Sequence, residues 1–172
     1  MSAVSAVRRA GPQDMDELTA LWAHYIRSQG ANPALRNLPP DALARRRDRF
    51  ARHIEGPDSA VFVLERDDGG LDGFLSCFVE TNDPYFHPPV FGRLQTPFVR
   101  PEARGRGLLH RLLDAAYVWA REMELTEVRL YMSPADERQN RLAEELGFEA
   151  IATVRRRTIA WDYPPGGRRE AP

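Results

Sequence analysis

Apolar residues recur along the chain at helical spacing in several segments. Predicted helices begin after Gly11-Pro12, after Pro39-Pro40 and at Leu108, and a last one spans residues 134–146. In the first of them the apolar stripe consists of Met15, Leu18, Leu21, Trp22 and Tyr25. Such a stripe predicts a helix that buries one face against a sheet or a neighbouring helix.

Runs rich in aromatic and branched side chains predict strands between and after these helices. The predicted strands span residues 4–8, 60–65, 71–79, 91–99, 128–132 and 150–161. This order predicts an α/β (α+β) fold, in which a mixed central sheet is flanked by helices within one domain over residues 1–163. Residues 164–172 are predicted to form a disordered tail.

The second predicted helix carries arginines at positions 45, 46, 47, 49 and 52. A charge run of this kind is more typical of a solvated face than of a binding patch. The apolar side of the same helix, formed by Leu43, Phe50 and Ile54, is predicted to face the core.

Composition favours a small-molecule ligand over a polymeric one. The chain has 172 residues and a formal net charge of -1, so neither a nucleic acid nor an anionic membrane surface is an expected partner. No signal peptide or membrane-spanning stretch is visible, and the single cysteine, Cys77, lies in an apolar run. A cytoplasmic protein with a buried, inert thiol is the expectation.

The segment from Phe98 to Leu109 has the features of a phosphate-binding turn. Two glycines lie between arginines, after an apolar strand and before an apolar helix. Glycines at a helix start let backbone N–H groups approach an anion, and Arg104 and Arg106 add full charges. The alternative is a turn that only caps the helix. A Rossmann site fits poorly, because its glycines would follow the first strand.

On these residues the chain resembles the GNAT superfamily of acyl-CoA-dependent N-acetyltransferases. Arg104-Gly105-Arg106-Gly107-Leu108-Leu109 is similar to the family's pyrophosphate motif, with Leu109 in place of a small residue. Residues 7–10 are similar to the family's opening strand, and Leu146-Gly147-Phe148 to the end of its last conserved helix. The resemblance covers most of the chain.

The resemblance implies acetyl-CoA or another acyl-CoA as co-substrate, a small-molecule amine as acceptor, and no metal. It assigns cofactor binding to Phe98, Val99, Arg104, Gly105, Arg106, Gly107, Leu108, Leu109 and Arg138. Dimers are common among relatives, so a homodimer is compatible with it. His24, His53 and His110 show no metal-ligand spacing and receive no site.

The positions that carry catalysis in the family are altered here. Gln95 occupies the place of a frequent glutamate base, and it could orient a water or the amine but not take a proton as a carboxylate does. Pro97 occurs where relatives offer a backbone N–H to the thioester oxygen, so Phe98 or Val99 would take over that role. A one-residue shift around a β-bulge is the alternative.

Other residues are candidates for the proton path and the acceptor pocket. Glu80, at a predicted strand end, is the candidate base acting through water, although it could equally be a solvated strand end. Ala143 replaces the family's tyrosine acid. Trp22, Tyr25 and Tyr85 are candidates to wall the acceptor pocket, and the first two could instead belong to the core.

Three functions therefore remain open from the sequence. The first is acetyl transfer from acetyl-CoA to a small amine. The second is a CoA-binding module without transferase turnover. The third is a transferase that uses another acyl group or the N-terminus of a protein.

Overall fold

The computed structural model describes residues 5–29, 32, 35 and 38–157. The chain divides into two compact units, Met1–Asp136 and Glu137–Pro172. In chain order the first unit contains β1 (Ala6–Arg9), α1 (Met15–Ser28), α2 (Ala42–Glu55), β2 (Ser59–Glu65), β3 (Leu71–Thr81), β4 (Val90–Val99), α3 (Leu108–Glu122) and β5 (Val128–Leu130). The second unit contains α4 (Glu137–Glu145).

The five strands form one sheet in the order β1-β2-β3-β4-β5. Neighbours are antiparallel from β1 to β4, and β5 runs parallel to β4. Helices α1 and α2 pack on the sheet through a buried cluster that includes Leu18, Leu21, Phe50, Phe74 and Phe98. The predicted mixed sheet flanked by helices is thereby confirmed.

Helix α3 packs closely on β4 because Gly92 carries no side chain. A Cβ atom there would lie 3.2 Å from the Trp119 ring and 3.1 Å from Val128. Trp119, Leu112 and Ala116 are buried along α3. The apolar stripe of α3 thus anchors the helix that begins at the predicted phosphate-binding turn.

Two expectations need correction. Leu43 is 48% exposed, because the buried side of α2 is formed by Arg46, Phe50 and His53 instead. Residues 150–157 form no strand and are exposed, since branched residues such as Ile151, Thr153 and Val154 form a strand only where the segment pairs with a neighbour. Residues 158–161 of that predicted strand and the predicted tail 164–172 lie outside the described residues.

Candidate active site

Strand β4 contains a β-bulge at Thr96 and Pro97. Phe98 is opposite Phe74 and Gln95 is opposite Ser76, so β4 has one more residue than β3 between these pairs. Thr96 has a φ of 58°, in the left-handed region. The bulge accommodates Pro97 without the loss of a ladder hydrogen bond, because the extra residue of a bulge is unpaired.

Beyond Leu94, one side of β4 has no strand partner among the described residues. β5 pairs with β4 only from Gly92 to Leu94. The Arg100 N–H donates to Asp72 of β3 at 2.7 Å, so strand alternation turns the Phe98 N–H toward β3 and the Val99 N–H away from it. Of the two residues suggested to replace the N–H missing at Pro97, Val99 therefore has the suitable orientation.

The turn from Arg104 to Leu109 presents backbone donors at the start of α3. Gly105 and Gly107 have φ values of 78° and 69°, which glycine adopts without strain, and no atom lies within 4 Å of where their Cβ atoms would be. Within the described part of the chain, the N–H groups of residues 105–110 have no hydrogen-bond partner. The free donors and the helix dipole suit an anion.

The two arginines of this turn surround the donors. Arg104 and Arg106 are exposed, and the Arg104 Nε donates to the Val99 carbonyl at 3.1 Å. Leu108 is buried and Leu109 is half-buried. This segment therefore combines free backbone donors with exposed positive charge at the end of β4.

Arg46 of α2 lies beneath Gln95 and was missed by the sequence interpretation. Arg46 is only 6% exposed, whereas Arg45 and Arg47 on the same helix are exposed, so the predicted solvated face holds for them but not for Arg46. Its Nη1 donates to Gln95 Oε1 at 2.9 Å, and its Nε is buried without a partner among the described residues. Burial lowers the pKa of Arg46 to about 9.

A signal for Arg46 was present in the sequence. Positions 46, 50 and 53 have the i, i+4, i+7 spacing of one helix face, and the structure buries all three side chains. Phe50 supplies an aromatic ring 4.3 Å from the Arg46 guanidinium carbon. The position of Arg46 within the apolar stripe of α2 therefore indicates its burial better than the charge run around it does.

Two of the three predicted acceptor-pocket residues gather around Arg46. Trp22 and Tyr25 are half-buried, pack against the core cluster and lie near Arg46, with the Trp22 ring centre 5.8 Å from the guanidinium carbon. Burial raises the pKa of the Tyr25 hydroxyl. Tyr85 is 92% exposed in the β3–β4 loop, and the structure does not bring it to this group.

Glu80 lies on the same sheet face but is held in an ion pair. Its carboxylate accepts a hydrogen bond from Arg93 at 3.2 Å, and Arg93 lies over the Tyr131 ring. Cross-strand register places Arg93 opposite Phe78, two residues along β4 from Gln95. The two predicted catalytic residues thus share a face, and each is hydrogen-bonded to an arginine.

The remaining predicted cofactor residue, Arg138, is exposed on α4 in the second unit. Cys77 is buried, and burial raises the pKa of its thiol. Over the described ranges, no cluster of three or more His, Cys, Asp or Glu side chains is arranged to hold a metal ion. None of the described helices has the length and apolar character needed to cross a membrane.

Comparison with known proteins gives a consistent set of similarities. An uncharacterised N-acetyltransferase from Archaeoglobus fulgidus is 27% identical over 138 residues, covering 78% of this chain and 86% of the relative. Mycothiol acetyltransferase from Propionibacterium freudenreichii is 31% identical over 147 residues, or 81% of this chain, which spans only 41% of that longer relative.

Solved structures extend the likeness to the fold. An aminoglycoside N-acetyltransferase in complex with CoA superposes with a TM-score of 0.72 at 18% identity, covering 92% of this chain and 97% of the other. The model of the Acetyltransferase (GNAT) family matches residues 21–148. The chain, with its bulged fourth strand leading into a glycine turn at a helix start, belongs to the GNAT acetyltransferase family.

Proposed function

We propose that this protein transfers an acetyl group from acetyl-CoA directly to the amine of a small molecule. The observation that carries the proposal is the row of free N–H groups at residues 105–110, at the end of the unpaired side of β4. Family membership supports the acetyl transfer, and the CoA-bound neighbour supports the co-substrate.

The cofactor is proposed to lie along β4 and across the start of α3. Its pyrophosphate accepts hydrogen bonds from the N–H groups of residues 105–109, and Arg104 and Arg106 supply charge. Phe98 and Val99 line the path of the thioester, with the outward Val99 N–H as the donor to its carbonyl oxygen. Arg138 stays a predicted further contact.

Proton transfer is proposed to pass through water to Glu80, while Gln95 positions the amine side. The Gln95 Oε1 already accepts from Arg46, so its Nε2 group is the part free to donate into the site. Ala143 provides no hydroxyl that could protonate the departing thiolate. The CoA thiolate therefore leaves unprotonated, and its stability limits the rate of acetyl transfer.

A small-molecule acceptor is favoured by two observations. Two similar proteins are named for small amines, a mycothiol acetyltransferase and an aminoglycoside N-acetyltransferase. In this chain the half-buried rings of Trp22 and Tyr25 lie near Arg46, which is hydrogen-bonded to Gln95. The two rings are proposed to line a pocket for one amine.

A broad screen of amines with acetyl-CoA, monitored by release of the free thiol, tests this function. Because the chain contains no lysine, lysine self-acetylation does not contribute to the signal. We expect thiol release that depends on both acetyl-CoA and an added amine. CoA binding in calorimetry without release for any amine would contradict turnover and favour the CoA-binding module.

A further inference from the structure

Arg46 is a buried cation for which the described residues provide no anion. No carboxylate lies within ion-pair distance of it, and its hydrogen-bond acceptors are the amide of Gln95 and, at 3.5 Å, the hydroxyl of Ser76. Its Nε has no acceptor in that set. The neighbouring charge of Arg49 opposes its protonated form, and the Tyr25 hydroxyl stays neutral near pH 7 because burial raises its pKa.

A charge in this position is costly for folding. Burying an unpaired cation is unfavourable, and apolar residues of similar volume are often as stabilising or more so at such sites. The apolar neighbours of Arg46 are the Trp22 and Phe50 rings, and a methionine at position 46 would pack against these rings as well. The position of the charge is therefore best explained by an anion that arrives with a ligand.

None of the polar groups that surround Arg46 in the described structure carries a negative charge. The Gln95 side-chain oxygen accepts a hydrogen bond from Arg46, which leaves the Gln95 N–H groups to donate to a ligand. Arginine itself has donors only. Arg49 is half-buried over the Phe78 ring and has no carboxylate partner among the described residues. By contrast, two carboxylates, those of Glu80 and Glu127, each form an ion pair with an arginine of the sheet.

We propose that the acceptor amine carries an anionic group, a carboxylate or a phosphate, which binds Arg46 and the Gln95 amide while the amine points toward the thioester. This inference rests on the proposed acetyl transfer and names the class of its acceptor. The planar guanidinium binds carboxylates and phosphates through paired hydrogen bonds. The positive charge of Arg46 also disfavours polycationic amines such as aminoglycosides, because it would repel their ammonium groups.

Matched pairs of amines test the proposal. α-Amino acids are compared with their carboxamides, and phosphoethanolamine with ethanolamine, so that each pair differs in the anionic group. We expect kcat/KM to favour the anionic member of at least one pair by about tenfold or more, mainly through KM. The pair that responds distinguishes carboxylate from phosphate. Equal rates within both pairs, or faster neutral amines, would overturn the proposal.

Variants of neighbouring arginines locate the effect. Arg46→Met should reduce the preference to less than about twofold, whereas the exposed Arg45→Met on the same helix should keep it. Arg46→Lys, which retains the charge without the planar fork, should give an intermediate preference, and it serves if Arg46→Met fails to fold. A preference that survives either Arg46 substitution unchanged would overturn the assignment to Arg46.

Calorimetry separates this inference from the proposed function. If no amine supports thiol release, the proposed acetyl transfer fails, and the same amine pairs are titrated into the protein with CoA present. Binding of an anionic amine to the wild type and the loss of that binding in Arg46→Met would support the anion site on its own. Equal binding of both members, or none of either, would overturn it.

Discussion

The two proposed binding regions, the turn at the start of α3 and the face around Arg46, are built in opposite ways. The turn offers main-chain N–H groups from one short segment, with no hydrogen-bond partner in the described structure. The Arg46 face is built from side chains of α1, α2, β3 and β4, buried against one another. One site is local and made of backbone, and the other is assembled from distant residues.

This difference suits the two proposed ligands. A cofactor that is the same for every member of a family is well bound by backbone groups, which substitution does not remove. An acceptor that differs between members requires side chains, whose identity changes with each substitution.

The largest effect is expected for Gly107→Val, which should abolish measurable CoA binding in calorimetry. The new side chain would occupy the open space above the donors and force a β-branched residue into a φ of 69°. Gly69→Val is the matched control, because Gly69 has a φ of 81° and equally open space but lies in the β2–β3 turn. Both substitutions should lower stability by about 1–2 kcal/mol.

Only the loss of CoA binding should distinguish the two glycine variants. Wild-type affinity in Gly107→Val, with a lowered melting temperature as evidence of the strain, would place the cofactor elsewhere.

A smaller but still large effect is expected for Glu80→Gln, which should lower kcat by about 10²–10⁴ if Glu80 accepts the proton through water. CoA affinity should not change. Glu127→Gln provides the comparison, since both carboxylates have 37% exposed side chains and pair with an arginine on the sheet. Similar, small losses in both variants would assign the proton to bulk water.

Arg104→Ala should weaken CoA binding by less than about tenfold, because an exposed charge is screened by water and salt. The deficit should shrink further as salt is added. Arg121→Ala, exposed at the far end of α3, should bind CoA like the wild type. A loss as large as that in Gly107→Val would show that charge, and not backbone, dominates this turn.

A last prediction concerns stability instead of ligand binding, on the side-chain face, where His53 lies near Arg46, Arg49 and Arg52. Burial, with these arginines, lowers the pKa of His53 to about 4 from 6.5. Between these values the unfolded chain binds a proton that the folded chain does not, so stability should fall as pH drops from about 6.5 to about 4. His53→Leu should flatten this slope in denaturant titrations; an unchanged slope would assign it to other groups.

The same contrast explains which features the sequence could predict. The glycine turn before α3 could be predicted because the groups proposed to bind the ligand are consecutive in the chain, and glycines between arginines at a strand–helix junction are typical of an anion-binding turn. The sheet and helices followed from periodicity. Trp22 and Tyr25 lie near Arg46, whose hydrogen-bond partner Gln95 is 49 positions away from it in the chain. Spacing encodes such a contact poorly, because tertiary packing decides it.

Some details of β4 were left open by sequence for a related reason. Proline at position 97 was compatible with a lost donor or with a bulge, and only the pairing of Phe74 with Phe98 and of Ser76 with Gln95 establishes the bulge. Register is a relation between two strands, so one strand alone does not determine it.

The bulge at Thr96 and Pro97 also bears on self-association. Beyond Leu94, β4 has no strand partner on this side among the described residues, and an unpaired strand edge can act as a template on which a strand of another molecule adds. Proline cannot donate to such a strand, and the twist at Thr96 breaks the flat ladder that it would need. The unpaired segment of β4 that is proposed to bind the cofactor is thus a poor template for aggregation.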